Sequence, residues 1–177
     1  MRLLKIVLLL SAMIAVGCKS RNQTEAPSAI KEYYAKHDTF LLKKDVRALT
    51  DLMREYTTVD YALILKPKKD NPGKLRKMTT QDLIQNLDEV MAIVDTVMGA
   101  VTNIDHVAAS ESSILATVSE REALATFKGK QSGKRHEYLS LTIREDAWIK
   151  VRGYWRLQSS RVLSRHRSIN GRSLSED

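Results

Sequence analysis

The chain of 177 residues has one cysteine, three prolines, seven glycines and two tryptophans. A lone cysteine, Cys18, excludes an internal disulfide. The prolines, Pro27, Pro67 and Pro72, fall at breaks in the pattern and act as punctuation. The apolar run over residues 6–16, broken by Ser11, is too short to span a bilayer, which needs about 20 residues. No internal repeat or low-complexity block is present. There is no second cysteine, no H-E-x-x-H, and no ligand spacing around His106, His136 or His166, so no metal site or cofactor is expected. A G-x-S-x-G nucleophile elbow is missing as well. "GKQSGKR" falls one residue short of a phosphate loop's glycine spacing, and Arg135 stands where that loop has Ser or Thr. Lying between two strand patterns, it reads as a hairpin loop. Acids are scarce late in the chain: between residues 128 and 172 only Glu137, Glu145 and Asp146 occur.

The chain opens on "MRLLKIVLLLSAMIAVGCKS". Arg2 and Lys5 precede a short apolar run, a small residue, Gly17, and then Cys18 and a polar stretch. That order is an export signal. Its ending, Ala15-Val16-Gly17-Cys18, resembles the lipobox of bacterial lipoproteins, in which the cysteine is lipidated and becomes the first mature residue. The resemblance implies a signal peptide over residues 1–17, and a lipidated Cys18 with its tether over residues 18–27. A folded domain over residues 28–170 and a tail over residues 171–177 follow. Lys19 and Ser20 supply no acid after the cysteine, which fits an outer-membrane address facing the periplasm rather than retention at the inner membrane.

The formal charge is +8, and removing Arg2 and Lys5 leaves +6. With so few late acids, Lys150, Arg152, Arg156, Arg161, Arg165 and Arg167 form a candidate surface for anions such as lipid headgroups or acidic polymers. An exported, anchored chain has no route to nucleic acid.

Ile30, Tyr33, Tyr34, His37 and Leu41 recur at helical spacing and predict a helix over residues 28–43. Asp45 caps a second helix with Val46, Leu49 and Met53 on its inner side. "TTVDYALIL" reads as a strand ending before Pro67. Thr79 and Asp82 have capping-box spacing and open a third helix. Its core positions are Leu83, Leu87, Val90, Val94 and Val97, and Gly99 ends it. Met78, Met91 and Met98 read as gap-filling core. From residue 100 the period falls to two, and four long strands joined by short turns predict an antiparallel meander. Helices first and strands last give an α+β fold, about three helices packed on one face of a curved antiparallel sheet.

The final hairpin, "DAWIKVRGYWRLQSSR", holds both tryptophans around an Arg152-Gly153 turn. It resembles the closing hairpin of the nuclear transport factor 2-like superfamily, which includes ketosteroid isomerases and SnoaL-type cyclases. "KKDVRALTDLM" resembles that superfamily's second helix. The resemblance covers residues 29–168 and implies a cone with an apolar pocket at its mouth. Counting from Asp45, the isomerases' first-helix tyrosine falls on His37, their catalytic aspartate on Tyr61 and their oxyanion-hole acid on Asp146. Tyr34 neighbours His37 on the same helix and joins the candidate ligand-binding set.

The departures weigh against isomerase chemistry. Tyr61 is a poor base, with an ordinary pKa of about 10. Asp60 points to the opposite side of its strand. His37 reads either as an acid–base group or as a polar residue at the core's edge. Asp146 reads either as a pocket acid or as the partner of Arg144 or Arg161. The leading expectation is therefore a non-catalytic, lipid-anchored envelope protein. It binds a small or anionic ligand or an envelope partner, through the cone or the basic strands. The alternative is an isomerase, dehydratase or cyclase using His37, Tyr61 and Asp146, which requires those three side chains to converge. A homodimer through the exposed sheet face is the third option.

Overall fold

A computed structural model describes residues 25–67, 74–126 and 135–174. The signal segment, Cys18 and most of "GKQSGKR" lie outside the described residues. Three helices, α1 (Ser28–Leu42), α2 (Val46–Tyr56) and α3 (Thr80–Ile93), precede most of the sheet. The strands are β1 (Thr57–Leu65), β2 (Arg76–Met78), β3 (Val94–Ala109), β4 (Ser113–Thr126), β5 (His136–Val151), β6 (Tyr154–Ile169) and the two-residue β7 (Arg172–Ser173). They make one curved, unclosed sheet in the order β2-β1-β6-β5-β4-β3, with β7 on the far end of β6. The meander β3–β6 is antiparallel as expected. The sheet as a whole is mixed, because β1 returns to pair parallel with β6.

The local signals act where the sequence places them. Asp45 caps α2 by accepting from the Ala48 amide at 3.0 Å. Thr79 and Asp82 close a reciprocal capping box on α3. Arg152 (φ 51°) and Gly153 (φ 86°) form the two-residue turn between β5 and β6. Both central residues have positive φ, the backbone of a type I′ hairpin turn.

One boundary differs from expectation. The third helix ends at Ile93, and Val94, Val97 and Gly99 belong to β3. Two bulges cause the confusion. The β3–β4 register skips Asp95 and again Met98, so Val94, Val97 and Ala100 all turn inward. Each extra residue restarts the alternation. A strand bulged twice near its start therefore shows the three-residue spacing of a helix there, ahead of a third bulge at Asp105. Gly99 is no helix terminator; it sits inside the strand with ordinary space around it.

The helices cover one face of the sheet in two apolar clusters. The first joins Ile30, Tyr33 and Tyr34 of α1, Leu52 and Tyr56 of α2, and Tyr61, Val107, Ile114, Val118, Trp148 and Leu157 of the sheet. The second joins Leu41, Leu49, Met91, Val94, Val97, Ala100 and Leu124. Phe40 packs against both. On β4 the two clusters are separated by Glu120 and Glu122, which stand between Val118 and Leu124.

Candidate functional site

Strand registry builds a polar band across the inner wall. Directly paired residues share a face. Thr102, Glu120, Thr142 and Arg165 make one row across β3, β4, β5 and β6. Ala100, Glu122, Ser140 and Arg167 make the next. Arg165 Nε donates to Thr142 Oγ1 at 3.3 Å. Beneath the band lies Arg144, two residues along β5 from Thr142, then Asp146 and Trp148.

Asp146 is fully buried and fully engaged. It accepts from Tyr34 Oη at 2.7 Å and from Arg144 Nε at 3.2 Å and 3.1 Å to its two oxygens. Trp148 Nε1 in turn donates to Tyr34 Oη at 3.2 Å. Arg144 Nη1 reaches the Glu120 carboxylate, so one guanidinium holds two acids. Burial works against the charge on Arg144, but Asp146 and Glu120 outweigh it and keep its pKa well above the ordinary value. Burial also opposes the charge on Glu120; Arg144 and His37 overcome that and hold its pKa below the usual range. This cluster ties α1 to the sheet. Both oxygens of Asp146 are engaged, Oδ2 by Tyr34 and Arg144 and Oδ1 by Arg144, so the carboxylate serves the network.

His37 stands apart from Asp146. Its Nδ1 contacts Asp38 Oδ1 at 3.4 Å. Asp38 also accepts from the Thr102 amide at 2.6 Å and from Thr102 Oγ1 at 2.8 Å, pinning α1 to β3. Burial disfavours an imidazolium at His37, yet Asp38, Glu120 and Glu122 together hold its pKa above the ordinary value, against Arg144. Tyr61 is buried on β1, and burial pushes its phenol up to about 12, tempered by a hydrogen bond with Ser160. Asp60 is exposed on the other side of the strand.

His37, Tyr61, Asp146 and Tyr34 thus divide. Tyr34 and Asp146 are joined by a hydrogen bond, whereas none links His37, Tyr61 and Asp146 to one another among the described residues. The convergence required of an enzyme built on those three is not met.

The group the sequence reading missed is Glu122. It is partly buried on the inner wall and makes no hydrogen bond or ion pair among the described residues. Burial and the neighbouring Glu120 push its carboxyl up to about 7, with His37, Arg144 and Arg165 pulling the other way. The signal was in plain alternation. Ile114, Ala116, Val118, Glu120, Glu122 and Leu124 are every second residue of β4, so two acids sit in an otherwise apolar series. No group of three or more His, Cys, Asp or Glu suited to a metal occurs among the described residues. A surface depression of about 340 Å³ lies elsewhere, between the start of α1 and β3, lined by Ala26, Lys31, Asp105 and His106 among others.

The six basic residues do not form one surface, a correction to the strand-face expectation. Arg156 and Arg161 pair with Ile149 and Glu145 on the outer face. The β5–β6 register then skips Leu163, and beyond it Arg165 and Arg167 pair with the inward Thr142 and Ser140. A single extra residue moves all later side chains to the other face. Lys150 and Arg152 belong to the hairpin tip.

Helices over a curved mixed sheet, enclosing a polar band between two apolar clusters, define a cone-shaped α+β protein of the nuclear transport factor 2-like fold. Solved structures agree. The Kfla4162 protein of Kribbella flavida superposes with a TM-score of 0.58 at 13% identity, over 77% of this chain and 90% of that one. A hexachlorocyclohexane dehydrochlorinase (LinA), type 2, gives 0.55 at 10% identity, over 84% and 88%. A Novosphingobium aromaticivorans protein described as a candidate scytalone dehydratase gives 0.52 at 10% identity, over 77% and 83%. At these identities the likeness is one of fold. The chain matches no known family profile and no curated protein sequence.

Proposed function

We propose that this is a lipid-anchored envelope protein whose cone holds a small neutral ligand against Glu122 and His37. The observation that carries the ligand site is Glu122, the inner-wall acid without a hydrogen-bond or ion-pair partner among the described residues. Glu122 is only partly buried, so its carboxyl keeps accessible surface on the inner wall, where water or a ligand can meet it. Around it, the acids Asp38, Glu120 and Asp146 face Arg144, Arg165 and Arg167, so the charges of the band are near balance and suit a polar, uncharged group. Phe40 and the two apolar clusters suit a partly apolar molecule. A carbonyl or hydroxyl group would meet the Glu122 carboxyl and the His37 imidazole.

A panel of cyclic ketones and phenols tests this by thermal shift. Members that fit raise the midpoint of the wild-type chain and leave Glu122→Gln unmoved. A panel without effect, or an equal shift in both chains, refutes the site. The anchor is tested separately: labelled palmitate enters the wild-type chain in cells and is lost in Cys18→Ser.

A second reading, acid–base catalysis, draws on the same pair. Glu122, at about 7, exchanges its proton near neutrality, and His37 beside it is held above its ordinary value by Asp38, Glu120 and Glu122, which gives the pair a base and a proton donor. Tyr61, at about 12, does not titrate there. Eliminating enzymes share the fold, as the dehydrochlorinase name indicates. Solvent deuterium entering a bound ketone beside its carbonyl, seen by NMR and abolished in Glu122→Gln, favours this reading over simple binding.

A further inference from the structure

The tip of the β5–β6 hairpin combines features that the cone site does not use. Tyr154 is 68% exposed and Val151 39% exposed, and the two close the turn as a pair. Lys150 Nζ lies 5.2 Å from the centre of the Trp155 ring, and the Arg156 guanidinium 5.7 Å from that of Tyr154. Arg152 occupies the turn itself. None of Lys150, Arg152 and Arg156 forms an ion pair among the described residues. A side chain added at Gly153 would meet nothing within 4 Å, so the turn projects freely. Lys150 N donates to Ser112 O at 2.8 Å, which ties the tip to the neighbouring β3–β4 turn.

The tip also has a defined place in the molecule. Ala26 packs in the same cluster as Ile114, Trp148 and Leu157, so the chain enters the fold at the end where the hairpin protrudes. Asp38 meets Thr102 and Lys44 meets Val94, so α1 runs back along β3 and its start faces the strand's far end. Cys18 and the six residues after it precede Glu25. At full extension they reach about 25 Å. A lipid on Cys18 therefore holds this end of the domain near a bilayer.

We infer that the hairpin tip, Lys150, Val151, Arg152, Tyr154 and Arg156, is a docking surface for an anionic lipid bilayer. Cations unpaired within the protein meet headgroup phosphates, and Tyr154 and Val151 enter the interface, where amphipathic rings favour the headgroup level. The rings under Lys150 and Arg156 keep those cations at the tip instead of folded onto the strands. Arg161, Arg165 and Arg167 take no part: the first is carried along the outer face and the other two turn inward. The orientation rests on the anchor proposed at Cys18. The lipid contact itself does not, and it acts without the acyl chain.

The test uses the chain from residue 18 onward carrying Cys18→Ser, which retains every described element. Its binding to phosphatidylcholine vesicles with and without 30% phosphatidylglycerol is measured by flotation. Three surface cations give on the order of a hundredfold preference for the anionic vesicles, decreasing as salt is raised. Lys150→Gln/Arg152→Asn/Arg156→Gln reduces binding at least about tenfold. Asn suits the positive φ at position 152, and Arg152→Asn alone gives a smaller loss should the triple variant fail to fold. The indole introduced by Tyr154→Trp, read above the wild-type signal, is quenched by brominated lipid. Equal binding to neutral and anionic vesicles, an unaffected charge variant, or no quenching overturns the inference. So does loss of binding on replacing Arg161, Arg165 and Arg167 alone, or binding confined to a protein partner. Palmitate labelling at Cys18 is read independently, so failure of the anchor and failure of the tip are told apart.

Discussion

At the scale of single residues, Glu122 has the clearest consequence. Its folded pKa, about 7, lies above the ordinary carboxyl value of 4.5, so the native state holds its proton more tightly than the unfolded chain does. The stability linked to it is present below about pH 4.5 and is lost as the pH rises through about 7. Glu122→Gln removes that loss. Chemical denaturation at pH 5 and pH 8 checks this: the variant's advantage over wild type is larger at pH 8, on the order of 1–2 kcal/mol after allowance for solvent screening. A gain equal at both values would show that Glu122 does not titrate in this window. Asp146 behaves in the opposite sense to a functional acid. Asp146→Ala strands Arg144 and the Tyr34 hydroxyl in the interior. The expected cost is about 3–5 kcal/mol by urea denaturation. Asp146→Asn, which still accepts from Tyr34, costs less. If Asp146→Ala were near-neutral, the network would hold nothing together.

Among elements, the sequence was legible where one local rule acted alone and misleading where bulges intervened. The capping residues Asp45, Thr79 and Asp82, the β1 span and the Arg152-Gly153 turn follow from neighbouring residues and are found as read. The α3–β3 boundary was misplaced because Val94, Val97 and Ala100 carry a helical spacing produced by two bulges. The basic strand face failed for the same reason at Leu163. Bulges are set by long-range pairing, which a single strand's pattern does not display. The candidate site suffered differently: Glu120 and Glu122 were visible by alternation, but the partner that consumes Glu120 and leaves Glu122 free lies on another strand. Element-scale energetics give a direct check on α3. Thr79→Ala removes the side-chain acceptor for the Asp82 amide, costing about 1 kcal/mol in denaturant melts, whereas Thr79→Ser is close to neutral.

For the whole molecule, the question is whether two apolar clusters divided by a charged band unfold as one. The sheet runs through both, since β3 and β4 contribute Val107 and Val118 to one cluster and Val97 and Leu124 to the other. Phe40 is the side chain on α1 that packs against both. Both tryptophans report on the first cluster, Trp148 within it and Trp155 packed against it. Far-UV circular dichroism averages over the entire fold. In the wild-type chain the two signals should give coincident urea transitions, as a single cooperative unit requires. Phe40 is only partly buried, so Phe40→Ala should cost about 2–3 kcal/mol and, by weakening the bridge across the polar band, separate the fluorescence transition from the dichroism transition. Coincident curves in the variant would assign the coupling to the continuous strands. The Arg144–Glu120–Asp146 cluster would then be tolerated as a spacer within one core, leaving the wall around Glu122 as rigid as the sheet that carries it.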